Sequence, residues 1–104
     1  MHLQPLKLVT LITEQVLREQ IARKILELGA TGYTWSEVQG VGPRGTRRDA
    51  VEGNNIQIKI VCSAEVAEAI LTWFSRTYVD HYACIAWVIE VSVVHGARYI
   101  KSAK

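Results

Sequence analysis

The stretch Gly32-Tyr33-Thr34-Trp35-Ser36-Glu37-Val38-Gln39-Gly40-Val41-Gly42-Pro43-Arg44-Gly45-Thr46-Arg47-Arg48-Asp49-Ala50-Val51-Glu52-Gly53-Asn54-Asn55 divides the chain, because both flanks read as ordinary secondary structure and this run does not. It opens as a strand, Tyr33 to Val38, and then passes into a connection over residues 39–55 that holds four glycines, a proline and three arginines. Connections in compact domains are usually about 4–6 residues, and a longer one is normally functional or disordered. Function is therefore expected here.

Outward from that loop the pattern is regular. On its C-terminal side Ile56, Ile58 and Ile60 alternate with Gln57 and Lys59, and Cys62 continues the inward parity of a strand with one buried face. Ser63 is the expected cap of a helix whose stripe is Val66, Ile70, Trp73 and Thr77, widened by Ala67 and Phe74 and ending around residues 78–81. The long apolar run Ile85 to Val94 predicts a central strand covered on both faces, with Glu90 needing solvent, a subunit boundary or a partner. Arg98 to Lys101 is a candidate fifth, edge strand.

On the N-terminal side, Leu6 to Ile12 predicts a buried strand. Thr13 is the expected cap of a helix reaching Leu28, with Leu17, Ile21, Ile25 and Leu28 on its apolar side and Gly29 as its stop. Strand, helix, strand, loop, strand, helix, strand is the order of an α+β, ferredoxin-like βαββαβ sandwich with both helices on one face. The other face would be left bare, with Val9, Trp35, Trp87 and Ile89 apolar on one parity or the other. Patches of that size mark association, and a closed ring of three is the expectation.

The 104 residues suit one domain, 1–104, and 49% hydrophobic with 21% charged residues places it among soluble globular chains. A formal charge of +2 gives no whole-molecule basic field, so nucleic-acid or membrane binding would need a local patch. The patch available is Arg44, Arg47 and Arg48, offset by Asp49 and Glu52. The start MHLQPLKLVTLIT lacks signal-peptide character and no apolar run approaches a membrane span, so a cytoplasmic protein without direct membrane insertion is expected. Cys62 and Cys84 read as small core residues of a reducing compartment.

Among chemical constellations the loop stands first. Gly40 and Gly42 let main-chain N–H groups approach a phosphate, and Arg44 and Arg47 offer guanidinium forks beside them. A solvated loop with incidental charges gives the same spacing, and the pattern lacks the G-K-[ST] and following helix of a Walker loop. His81 and Cys84, with His2 and His95 elsewhere, fall short of the four closely spaced ligands of a zinc site, and His95 before Gly96 reads as a turn residue. No serine or cysteine has an activating context. The aromatic residues lack the basic interleaving of an RNA-stacking sheet.

The run Gly32 to Gly42, continued by Pro43-Arg44-Gly45, resembles the second strand and T-loop base of the PII signal-transduction family. The wider pattern, from Lys7-Leu8-Val9 through Gly29-Ala30-Thr31-Gly32-Tyr33-Thr34 to Tyr82-Ala83 and the closing apolar strand, is similar to the PII-like branch of SbtB and the carboxysome-associated PII proteins. The resemblance implies a homotrimer with an adenine-nucleotide site in each inter-subunit cleft and a T-loop, residues 39–55, that reports occupancy. By position it places Thr34 near the base, and Gly40, Val41, Gly42 and Arg44 at the phosphates with Arg47 as a second contact. It adds Cys84 to the nucleotide site, and brings Arg98 and Lys101 from the neighbouring chain. Arg48, Asp49, Ala50, Val51, Glu52 and Gly53 would face a partner.

The departures from the family sharpen these expectations. Residues 39–55 hold no tyrosine, so uridylylation is not expected, and His81-Tyr82-Ala83-Cys84-Ile85 offers no lysine to a third phosphate. AMP, ADP or cAMP should bind at least as well as ATP. The chain ends GARYIKSAK without the cysteine-bracketed extension of many SbtB proteins, so redox-linked hydrolysis is not expected. The family implies a non-enzymatic role in inorganic-carbon control, with a membrane bicarbonate transporter as partner or a carboxysome-linked sensor in which bicarbonate joins the nucleotide. Two other classes compete: a small oligomeric enzyme using Glu90, Asp80 or His95, and a nucleic-acid module working through the arginine loop.

Overall fold

The computed structural model describes residues 1–42, 45–46 and 55–101. Its elements in chain order are β1 (Leu3–Glu14), a 3-10 turn (Gln15–Leu17), α1 (Arg18–Glu27), β2 (Thr34–Val38), β3 (Val41–Gly42), β4 (Gly45–Thr46), β5 (Asn55–Cys62), α2 (Ala64–Tyr78), β6 (Ile85–Val94) and a 3-10 helix (Gly96–Tyr99). Four strands form an antiparallel sheet in the order β2-β5-β1-β6, while β3 and β4 pair with each other. This is the ferredoxin-like arrangement expected from the order of elements.

Cross-strand pairs share a face, so the register sorts the sheet. Lys7, Val9, Leu11 and Thr13 of β1 oppose Cys62, Ile60, Ile58 and Ile56 of β5. That face carries the core: Val9, Leu11, Ile56, Ile58 and Ile60 are fully buried against Leu17, Ile21 and Ile25 from the first helical segment and Ala67, Ile70, Phe74 and Tyr78 of α2. The α2 stripe therefore centres on Ala67, Ile70, Phe74 and Tyr78, with Val66 and Trp73 at its margin and Thr77 exposed. The expected stripe was turned by one position, because spacing gives the period of a helix but not which side meets the sheet.

Local signals hold at three helix ends and fail at one. The Ser63 Oγ accepts from the Val66 N–H at 3.2 Å. At the end of α1, Gly29 adopts φ 118°, while the Ala30 and Gly29 N–H groups return to the Ile25 and Leu26 carbonyls at 3.0 and 3.2 Å. This is a Schellman closure, and a Cβ on Gly29 would also lie 2.9 Å from Val66 Cγ2. The final turn of α2 stops at Tyr78, whose hydroxyl donates to Gln20 Oε1 at 2.7 Å and ties the two helices together. Thr13, however, does not cap α1. It and Glu14 belong to β1, and the helix begins through an uncapped 3-10 turn. Both side chains are engaged instead by Ala83: the Thr13 hydroxyl donates to its carbonyl at 3.4 Å, and Glu14 Oε2 accepts from its N–H at 3.1 Å.

Two further expectations are corrected. Among the described residues β6 lies at the sheet edge, paired with β1 alone, rather than at the centre. On the face away from the helices Ile85, Trp87 and Ile89 are 48%, 41% and 50% exposed. Val9 and Trp35 lie on the helix face, where Val9 is buried and Trp35, itself exposed, lies 4.6 Å from the Arg18 guanidinium, so Trp87 and Ile89 are the pair of that set on the bare face. The final segment is no fifth strand: His95 turns the chain at φ 56°, and Gly96–Tyr99 forms a 3-10 helix. Buried Gly96 sits so close to Gln4 and Leu6 that a Cβ would lie 2.8 Å from Gln4 Cβ. Glu90 is exposed and paired with Lys7 at 2.9 Å, a hydrogen bond that holds its carboxyl below the ordinary range.

Candidate functional site

The register builds the site on the open face. Thr34, Ser36 and Val38 of β2 oppose Lys59, Gln57 and Asn55 of β5. These in turn oppose Thr10, Ile12 and Glu14 of β1. Toward β6, Thr10 and Ile12 meet Trp87 and Ile85. The result is a polar quarter next to the loop, crossed by the rows Thr34–Lys59–Thr10 and Ser36–Gln57–Ile12, beside an apolar remainder. Val38 and Asn55 close the base of the connection as the last rung between β2 and β5.

The segment before β6 reaches the same sheet end. Ala83 is clamped by Thr13 and Glu14, and Cys84 follows it, half-buried. The segment is backed by an aromatic chain in which Tyr78 packs on Trp73, Phe74 and Tyr82 with centroids 5.3, 5.6 and 5.7 Å apart. Burial raises the Tyr78 phenol above its ordinary range, with Tyr82 as a secondary cause. One end of β1 thus fixes both the loop base and the stretch carrying Cys84.

Of the residues singled out from the sequence, Thr34 and Gly40 are exposed, at the start of β2 and just beyond its end. Val41 and Gly42 form β3, paired through Val41–Thr46 and Gly42–Gly45. Arg44, Arg47 and the partner-facing residues Arg48, Asp49, Ala50, Val51, Glu52 and Gly53 lie outside the described residues. Arg98 and Lys101 are exposed beyond β6, whose end pairs with Leu3 at the far end of β1 from Glu14. At about 3.4 Å per residue, the 12-residue β1 separates those ends by roughly 40 Å, so one chain does not bring them to the loop base.

Three residues of this end were not singled out by sequence reasoning: Glu14, Asn55 and Lys59. Alternation marked Lys59 as outward but could not say that it would stand between Thr34 and Thr10. Glu14 and Asn55 carry no motif, and their meeting is a matter of register. Among the described residues no three histidine, cysteine or acidic side chains gather for a metal, and no helix is long and apolar enough to cross a membrane. Among the described residues Cys62 and Cys84 form no disulfide, and burial pushes the Cys62 thiol up to about 11.

A βαββαβ sheet with a long connection between its second and third core strands, based beside the segment that leads into the last strand, defines a class. The family model described as Nitrogen regulatory protein P-II matches residues 6–99, and the chain belongs to that family. It is similar to a Thermus thermophilus protein described as PII-like and signalling, at 43% identity over 96% of this chain and 100% of that one, with a TM-score of 0.84. CPII from Thiomonas intermedia, a nitrogen regulatory PII-like protein solved with ADP, AMP and bicarbonate bound, shares the fold at a TM-score of 0.83. Its identity is 20% over 94% of this chain and 96% of that one. GlnK of B. subtilis is more distant, with a TM-score of 0.64 and 18% identity over 85% of this chain and 86% of that one.

Proposed function

We propose that this chain is a non-catalytic signalling protein, in the branch of the family that contains CPII and SbtB, which binds adenine nucleotides between the subunits of a homotrimer. The observation that carries this reading is the convergence at one sheet end: the Val38–Asn55 rung, the exposed polar residues Thr34 and Lys59, and the Cys84 segment held by Glu14. The ligands bound to CPII, which shares the fold, support the same choice of ligand class.

Each group has a definite task in this account. Thr34 lies by the base. Gly40, Val41 and Gly42 bring main-chain N–H groups to the phosphates, and Arg44 and Arg47 clamp them through charge-assisted hydrogen bonds. Arg98 and Lys101, distant within one chain, come from the adjacent subunit once the open face with Ile85, Trp87 and Ile89 is covered. AMP, ADP and cAMP are expected to bind at least as well as ATP, since residues 81–85 offer no lysine to a third phosphate, and the AMP and ADP bound to CPII support those two first. Bicarbonate is the candidate co-ligand beside the arginines.

Contacts made only in one arrangement of residues 39–55 would shift its population, which is how occupancy reaches a partner through Arg48 to Gly53. The partner is a membrane bicarbonate transporter met from the cytoplasm in a role in carbon concentration; the alternative is a carboxysome-linked sensor in which bicarbonate joins the nucleotide. Titration calorimetry tests the ligand class. AMP or ADP should bind at one site per protomer, whereas tight magnesium-dependent ATP binding without AMP or ADP binding would contradict it. Turnover of a substrate, or affinity for nucleic acid that falls steeply with salt, would replace the reading altogether.

A further inference from the structure

The β1–β6 ladder runs in register from Leu3–Val94 to Ile12–Ile85 and stops there. Carried on, the same register would set Thr13 against Cys84 and Glu14 against Ala83. Side chains stand in place of those two rungs: the Thr13 hydroxyl donates to the Ala83 carbonyl at 3.4 Å, and Glu14 Oε2 accepts from the Ala83 N–H at 3.1 Å. The two peptide planes that flank Ala83 are thereby fixed, and Cys84, the next residue, with them. Residues 79–84 lie between α2 and β6, anchored behind by the Tyr82 N–H on the Tyr78 carbonyl at 2.9 Å. Of the two clamping bonds the shorter ends on a carboxylate, and it is the stronger.

The same residue borders the loop. Glu14 ends the pairing of β1 with β5, opposite Asn55, and Asn55 opposes Val38 at the loop base. The geometry points to Glu14 as a positioning residue of the ligand site, whose carboxylate holds the Ala83–Cys84 segment in register with the Val38–Asn55 rung. This rests on the adenine-nucleotide reading above, which needs both edges at one ligand, and adds a mostly buried residue that acts without touching the nucleotide. Apparent affinity falls by the fraction of molecules in the binding-competent arrangement, and releasing the clamp lowers that fraction. By the same linkage, a nucleotide that contacts Cys84 and the loop base tightens the clamp, so occupancy is felt at Ala83 and at Asn55 together.

The test uses the full chain, with AMP as the probe in calorimetry and native-state hydrogen exchange, for wild type, Glu14→Ala, Glu14→Gln and Ser63→Ala. Glu14→Ala should bind AMP about tenfold more weakly, the scale of one lost charge-assisted hydrogen bond, while Glu14→Gln, which keeps an acceptor oxygen, should stay within about threefold of wild type. Ser63→Ala loses the cap of α2 at the opposite end of β5, so it lowers stability without reaching the site and should bind as wild type does. In wild type AMP should slow exchange at the Ala83 and Asn55 amides together, and in Glu14→Ala the protection of Ala83 should be lost. Should the alanine variant not fold, Glu14→Asp, which draws the carboxylate back by one methylene, gives the same comparison. A Glu14→Ala affinity within about twofold of wild type overturns this inference alone. So does an equal loss in Ser63→Ala, the mark of a general effect of stability. Failure of the wild type to bind AMP or ADP overturns the nucleotide reading and this inference with it.

Discussion

Replacing Glu14 by alanine removes the acceptor of the Ala83 N–H, and its cost can be worked from the contact. The residue is 9% exposed and the hydrogen bond is 3.1 Å long. A hydrogen bond to a charged group contributes about 1.5–3 kcal/mol, and the amide left behind is part-buried, which places the loss toward the upper half of that range. Removing a mostly buried carboxylate recovers some desolvation energy and pulls it back. A net loss of about 2 kcal/mol is therefore expected for Glu14→Ala. Glu14→Gln, which keeps an oxygen at the same reach, should lose about 1 kcal/mol or less. Urea unfolding at fixed protomer concentration measures the totals, since association makes stability concentration-dependent. Native-state exchange at the Ala83 amide isolates the contact, where about 2 kcal/mol corresponds to roughly 30-fold faster exchange if local opening dominates. A loss below about 0.5 kcal/mol with Ala83 exchange unchanged would refute the idea that this carboxylate holds the segment before β6.

Other outcomes follow from single features. Gly29→Ala should cost about 2 kcal/mol or more in unfolding, because φ 118° and a Cβ 2.9 Å from Val66 Cγ2 add strain to a clash, and a neutral result would contradict the helix closure. The buried Cys62 thiol, raised from 9.0 to about 11, retains its proton in the folded state after the unfolded state has lost it. Its contribution is therefore complete below pH 9 and lost as pH rises toward about 11, so Cys62→Ala should flatten the alkaline decline, and an unchanged slope would contradict this. Trp87→Glu on the open face should give a sedimentation mass near the 11.7 kDa monomer where wild type gives three times that, and a wild-type monomer at micromolar concentration would remove the trimer.

The parts of the fold legible in the sequence were those set by neighbouring residues. The Ile56, Ile58 and Ile60 alternation, the Ser63 cap and the Gly29 closure each depend on a few positions along the chain, and each was found in place. Thr13 was misread because its hydroxyl, and the Glu14 carboxylate beside it, are claimed by Ala83 about 70 residues away. A cap and a tertiary contact look alike in one dimension. β6 was misplaced for a related reason: an apolar strand can be covered by its own chain or by another copy, and composition does not distinguish them. The candidate site divides the same way. Glycines and arginines drew attention to residues 39–55, whereas Asn55, Glu14 and Lys59 acquire their places only through strand register.

The central claim is that this chain binds adenine nucleotides at the loop base, and the most direct measurement is a thermal-shift panel of AMP, ADP, ATP and cAMP on wild type and Arg44→Ala. Ligand that binds only the native state stabilises it by about 2.7 kcal/mol at roughly 100 times Kd, a rise of several degrees for a chain this size. The account predicts that AMP and ADP raise the wild-type melting temperature and that Arg44→Ala, unchanged without ligand, loses most of the rise. No shift with any of the four at millimolar concentration would contradict it.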